Sequence, residues 1–330
     1  MYQKHLIAIL AAALAMGCKS EKKPEAAAAV DSSSVASARV ITMIGDTSST
    51  IEGLAEYGGK LYTADWKDGS VYRIDPTVGV EKVGTLPIKT GDWILGLAAD
   101  SAGNIYAAIP GSGIIYRIAA ARLGATDFNP KKDVTTFATG AKGANGIAFD
   151  RNGHLFISGG DQNVVYHVGP AGGKAMVFAK DYATVNPDTT LPVRTFVTNG
   201  MAFDAQGNVY TGNTGTGEVQ RIEMKPDYTA GPVTTVVKDP RLLGVDGLVI
   251  DADGTIWLTA NFRNTFAKVA PGGEVTILFA DAPDRQNVLR FPAELKRIRN
   301  AFYFANLNFG AGANTGQTQM GAAIAEILPK

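Results

Sequence analysis

A glycine heading a short apolar strand recurs along this chain at Gly53, Gly96, Gly146, Gly200 and Gly247, at intervals of 43 to 54 residues. A repeat of that length specifies a solenoid or a propeller. The stretch 245–280 (VDGLVIDADGTIWLTANFRNTFAKVAPGGEVTILFA) shows the unit most clearly. It holds four β-type runs, at 247–250, 255–259, 265–269 and 274–279. Asp251 and Gly254 take the first and fourth positions of a type I turn between the first two runs. The same turn returns at Asp100 and Gly103, Asp150 and Gly153, and Asp204 and Gly207. Third strands read VYRI from Val71, IYRI from Ile115, VYHV from Val165, VQRI from Val219, FAKV from Phe266 and IAEI from Ile324. Four strands per unit with no helix between units favour the propeller. The expected fold is therefore all-β, a six-bladed β-propeller of four-stranded antiparallel blades.

The sixth unit begins near Pro292, and the sequence ends before supplying its fourth strand. An unpaired β segment, 39–44 (RVITMI), precedes the first unit. It is expected to pair with the last unit and close the ring, because closure removes exposed sheet edges. Residues 39–330 then form one domain. At 45% hydrophobic residues the chain can fill such a core. Its 31 basic and 31 acidic residues cancel, which argues against a nucleic-acid partner. No obligate protein partner is evident either. One cysteine rules out an internal disulfide framework. His154 and His167 fall in repeat columns, a polar turn position and an exposed strand position, so neither a Ser-His-Asp triad nor a zinc site is expected.

First strands line a propeller's channel, so the residue before each glycine belongs at one mouth. In chain order these are Glu52, Leu95, Asn145, Asn199, Asp246 and, for the sixth unit, Pro292. Four carry side-chain oxygens, two of them as carboxylates. Converging carboxylates repel unless one is protonated or a cation lies between them. Carboxylate and amide oxygens suit Ca²⁺ best, with Mg²⁺, Zn²⁺ and Mn²⁺ as alternatives. The plainer reading is that Asn and Asp stand here as turn residues, which does not account for Glu52. Loops on the same face offer Trp93, Arg194 and Asn261 as substrate contacts, and loops 180–197 and 306–321 are long enough to act as lids.

These motifs resemble the regucalcin, gluconolactonase and luciferin-regenerating-enzyme family, six-bladed propellers with an axial Ca²⁺. Ile51-Glu52-Gly53, Thr198-Asn199-Gly200 and Val245-Asp246-Gly247 match its ligand motifs, and Asn145 matches an asparagine that contacts metal, water or substrate. The resemblance implies a metal-dependent hydrolase of a lactone or related ester. Glu52, Asn199, Asp246 and Asn145 would hold the metal, and Asp246 would also be base or nucleophile. Leu54 and Val245 replace the family's usual prolines. The rival reading is a non-enzymatic propeller that binds a ligand or partner around a structural metal. A streptogramin-type lyase is a weaker rival, because its seven blades and histidine site have no counterpart.

Residues 1–18 read as a signal peptide: Lys4, an apolar run from Leu6 to Met16, then Ala15-Met16-Gly17-Cys18, which resembles a bacterial lipobox. The apolar run is shorter than the ~20 residues of a membrane span. Residues 19–38, rich in Lys, Glu, Ala and Ser, read as a flexible tether. The expected location is the bacterial cell envelope, anchored through acylated Cys18, at the outer membrane facing the periplasm. Cys18→Ser should abolish incorporation of labelled palmitate and release the protein from the membrane fraction; labelling that survives the change would reject the anchor.

Overall fold

The computed structural model describes residues 34–281, 287–307, 309, 312–314 and 321–330. The signal segment, Cys18 and most of the expected tether lie outside them. The described chain forms six blades of four antiparallel strands around one axis, with the two-residue strand Gly173–Lys174 added in parallel at the outer edge of the second. Blade one is Ala55–Tyr57, Lys60–Ala64, Ser70–Asp75 and Gly79–Thr85. Blade two is Leu97–Ala99, Ile105–Ile109, Ile114–Ile118 and Val134–Thr139. Blade three is Ile147–Phe149, Leu155–Ser158, Val164–Val168 and Met176–Lys180, and blade four is Met201–Phe203, Val209–Asn213, Glu218–Met224 and Ala230–Lys238. Blade five is Val245–Ile250, Ile256–Ala260, Thr265–Val269 and Val275–Ala280. Blade six takes Pro292–Ile298, Ala301–Asn306 and Ala323–Pro329 from the end of the chain and Val35–Met43 from its beginning.

Second strands are buried on both faces, as in IYAAI of Ile105–Ile109, because a neighbouring blade covers each side. Outer strands such as Gly79–Thr85 are mostly exposed. The apolar core is consequently divided into wedges, one at each blade interface. Between blades five and six, Phe266 meets Phe302 and Phe304, all fully buried. Between blades six and one, Tyr303 and Ile324 pack on Leu61 and Ile74, so the interface that closes the ring is as apolar as the others.

The closing strand pairs antiparallel with Ala323–Pro329 along its whole length, from Val35 opposite Pro329 to Met43 opposite Ala323. Arg39 and Glu326 face each other in this ladder and form an ion pair at 2.9 Å. The strand starts four residues earlier than expected, within the stretch assigned to the tether. Its VASA segment carries little β character, but a ladder uses backbone groups, and its partner stands some 290 residues away in sequence.

The recurring turns are held by their first aspartate. The Asp204 carboxylate accepts the backbone N–H groups of Gln206 (3.0 Å) and Asn208 (2.8 Å) and the Asn208 side-chain amide (2.8 Å). Asp100 and Asp150 repeat the arrangement. Asp251 departs from it: its carboxylate accepts Trp257 Nε1 at 2.8 Å and reaches Arg297 of blade six at 2.6 Å. Asp204→Ala removes the acceptor of the exposed Gln206 N–H and the part-buried Asn208 N–H and should destabilise the fold by about 0.5–1.5 kcal/mol in chemical denaturation. A chain starting at Ser34 should unfold as cooperatively as the full chain, whereas one starting at Ile44 exposes a blade edge and should aggregate; a soluble, cooperative shorter form would refute the closure argument.

Candidate metal centre at the channel mouth

The inner strands approach one another so closely that glycine is required at their heads. A Cβ on Gly53 would lie under 3 Å from the Leu95 carbonyl oxygen; on Gly96, from that of Asn145; on Gly146, from that of Asn199; on Gly200, from that of Asp246. Each glycine thus packs against the mouth residue of the next blade, and this chain of contacts places Glu52, Leu95, Asn145, Asn199 and Asp246 around a common axis.

Blade six differs from the sequence expectation. Val245 pairs with Ala260 and Leu248 with Leu258; in the same bulged register Pro292 pairs with Asn306 and Leu295 with Phe304. Pro292 therefore matches Val245, and Ala293, not Pro292, takes the mouth position. Glu294 falls at the level of Gly247, where the other five blades carry glycine. No glycine marks this unit, so a column aligned on glycine slips there by one residue and passes over Glu294. A glutamate between Ala293 and Leu295, at the head of the unit's first strand, was the available signal.

Glu52, Asp246 and Glu294 are all buried, at 9, 6 and 7% exposure. Burial, followed by the charges of Asp246 and Glu294, holds the Glu52 carboxyl well above the usual carboxylate range. Burial and the Glu294 charge push Asp246 up to about 8. Burial also raises Glu294, although Lys296 stands 3.3 Å from its Oε1 and opposes the shift. Three carboxyl groups thus influence one another in a desolvated space beside a single ammonium.

Amides complete the surroundings. Asn261 donates its Nδ2 to Asp246 Oδ2 at 2.9 Å. Asn199 donates its Nδ2 to Thr214 Oγ1 at 2.9 Å, and Thr214 donates onward to the Val245 carbonyl at 2.8 Å. These bonds fix both amides and leave Asn199 Oδ1 and Asn261 Oδ1 buried without a hydrogen-bond partner. An orphaned buried acceptor costs about 1–3 kcal/mol, and a cation among these oxygens would relieve it. Among the described residues no three His, Cys, Asp or Glu side chains form a metal-ligand group. The donor set is mixed, carboxylate with amide, and such oxygen donors fit a hard cation.

Asn145 is buried at the mouth on blade three. Trp93 lies on blade two's approach, stacked on Trp66 with ring centroids 5.3 Å apart. Arg194 stands apart from the carboxylates: its Nη1 bonds the Asn186 carbonyl at 3.3 Å within its own loop. Of loop 306–321, only residues 306, 307, 309, 312–314 and 321 are described. His154 and His167 bond each other at 2.7 Å and stack with Tyr228 at the Asp150 turn, the end of blade three opposite the mouth.

Several solved structures share this architecture at low identity. A calcium-binding regucalcin from Agrobacterium tumefaciens superimposes with a TM-score of 0.63 at 15% identity, covering 89% of this chain and 95% of its own. A luciferin-regenerating enzyme gives 0.64 at 14%, covering 88% and 95%. A gluconolactonase from Xanthomonas campestris gives 0.59 at 14%, covering 90% and 91%. No curated protein matches the chain significantly. Residues 56–280 match the model of the SMP-30/Gluconolactonase/LRE-like region, a span running from the first strand of blade one to the last of blade five. The chain belongs to the SMP-30/gluconolactonase/LRE-like family.

Proposed function

We propose that this protein hydrolyses lactones or related esters with the help of a divalent cation, Ca²⁺ in preference to Mg²⁺, at the channel mouth. The observation that carries this reading is the buried meeting of Glu52 and Asp246 beside the unspent Oδ1 of Asn199. Glu52, Asn199, Asp246 and Asn145 would hold the cation. Ca²⁺ accepts a mixed, irregular set of oxygen ligands, whereas Mg²⁺ demands a strict octahedron and keeps much of its water. A cation held there would polarise the ester carbonyl and stabilise the oxyanion that forms on it.

Asp246 is the base in this reading. Asn261 fixes one of its oxygens, so the other is presented in a defined direction. Asp246 takes a proton from water as the water attacks the carbonyl carbon; when the carbon–oxygen bond breaks, that proton passes to the leaving alkoxide. Asn145 orients the water or the substrate, and Trp93 walls one side. Arg194 spends Nη1 on the Asn186 carbonyl, and its other guanidinium N–H groups would make any substrate contact. Family membership and the gluconolactonase and luciferin-regenerating neighbours support a lactonase-type activity. Propellers of this shape serve other chemistries too, so the fold alone does not choose. We place the enzyme on the cell envelope, held by Cys18.

Chelation should abolish turnover of δ-lactones and aryl esters, and Ca²⁺ should restore it. Asp246→Asn should lower kcat/KM by about 10²–10⁴ while leaving the far-ultraviolet spectrum unchanged. Chelator-insensitive turnover would reject the mechanism, and Ca²⁺ binding with no turnover across the panel would leave a ligand-binding propeller. The raised carboxyl groups also set a pH dependence. Asp246 titrates at 3.8 in the unfolded chain and at about 8 when buried, so between these values the folded protein holds more protons than the unfolded one. Stability of the chelated protein should therefore fall as pH rises from about 4 to 8, with Ca²⁺ reversing the loss and binding more tightly at higher pH. A melting temperature that rises with pH over this window in chelator would contradict the assignment.

A further inference from the structure

We infer that the mouth of this site accepts an apolar chain or ring, so that the substrate is an alkyl- or aryl-substituted lactone rather than a polyhydroxylated sugar lactone. This rests on the lactonase reading above and specifies its substrate class. Two of the six mouth positions are hydrocarbon, Leu95 and Ala293, both buried. Apolar groups continue outward from each. On blade two, Trp93 precedes Ile94 and Leu95 and lies parallel to Trp66, at 15°. Trp66 spends its one polar atom on the Ile94 carbonyl at 2.6 Å. The pair therefore offers ring surface and no free indole donor on the Trp66 side.

Across the axis, between blades five and six, a buried aromatic cluster begins one residue from Asn261. Phe262 follows Asn261 directly in the chain, and Asn261 holds Asp246. Phe262 meets Phe291 edge to face at 5.5 Å, with Leu243 and Val193 packed against them. Phe291 takes a left-handed backbone conformation, φ 53°, rare for a bulky residue. Two hydrogen bonds hold it there: its N–H donates to Asn264 Oδ1 at 2.7 Å, and its carbonyl accepts from Leu307 at 3.2 Å. The fold thus holds the Phe291 ring in this buried cluster against its backbone preference.

Sugar hydroxyls would need several polar partners, and three of the candidate contact side chains already spend a donor within the protein. Asn199 Nδ2 serves Thr214, Asn261 Nδ2 serves Asp246, and Arg194 Nη1 serves the Asn186 carbonyl. An alkyl or aryl group asks for none of these and gains from contact with the rings.

The test is a homologous series of δ-lactones with lengthening alkyl tails, set against glucono-δ-lactone, in Ca²⁺. Burying each added methylene should raise kcat/KM by up to about fourfold until the lip is filled. Trp93→Ala should flatten that slope, and Trp93→Phe should keep most of it. Binding of the matching non-hydrolysable alkyl δ-lactams, followed by calorimetry, gives a readout independent of turnover and should tighten with chain length. Best turnover on glucono-δ-lactone with no chain-length effect would overturn the inference and leave the hydrolase intact. Lactams that bind more tightly with length, without turnover of any lactone, would support the apolar mouth and reject the hydrolase. No chain-length effect in either assay would overturn the inference, whatever becomes of the hydrolase.

Discussion

Six sheets can share one axis only if their innermost strands come almost into backbone contact, and in this molecule glycine permits that approach in five blades. Gly53, Gly96, Gly146, Gly200 and Gly247 each lie where a side chain would strike the next blade. Removing side chains at this level lets the residues immediately before them crowd around the channel mouth. The crowding also excludes water, and the polar groups gathered there must satisfy one another or a ligand. Carboxyl groups at Glu52, Asp246 and Glu294 then favour the neutral form, and amide oxygens at Asn199 and Asn261 are left without donors. A tight packing requirement thus generates the electrostatic frustration that a hard cation would resolve.

The same ring makes the architecture depend on its ends. Apolar burial is distributed over six wedges, each made by two neighbouring blades. No blade can bury both faces alone, so each wedge is secure only while the ring is shut. The strand Val35–Met43 completes blade six, and the aromatic packing of Phe302 and Phe304 on Phe266 ties that blade to blade five. Site and closure are linked here, because the blade completed by the N-terminal strand is also the one that contributes Glu294.

Blade six breaks the pattern of its siblings at the place where the chemistry is concentrated. A glycine there would have continued the repeat; Glu294 instead adds a third carboxyl and brings Lys296 with it. Aromatic pairs flank the blades that carry this polar centre, the half-buried Trp66 and Trp93 on one side and the buried Phe262 and Phe291 on the other. A polar floor beneath apolar walls suits a ligand with one reactive polar group and a hydrocarbon body.

The repeat was legible in the sequence because a four-stranded blade writes itself as turn residues and apolar runs at a fixed spacing. Glycines, Asp-x-x-Gly turns and matching third strands gave the blade count, the order of strands and the candidates Glu52, Asn145, Asn199 and Asp246. Other features were hidden because they depend on distance in space alone. Val35 joins a ladder through backbone groups with a partner at the far end of the chain, which composition cannot register. Glu294 takes the level of Gly247 in the same bulged register, and with no glycine to mark that level the repeat column slips past it by one residue. Arg194 Nη1 bonds the Asn186 carbonyl of its own loop, a contact that repeat spacing does not register. Local pattern, then, determined the propeller and most of its mouth, since each blade is a local structure; only tertiary packing decided which side chains share the desolvated axis, because their mutual charges and orphaned oxygens exist solely once the ring is closed.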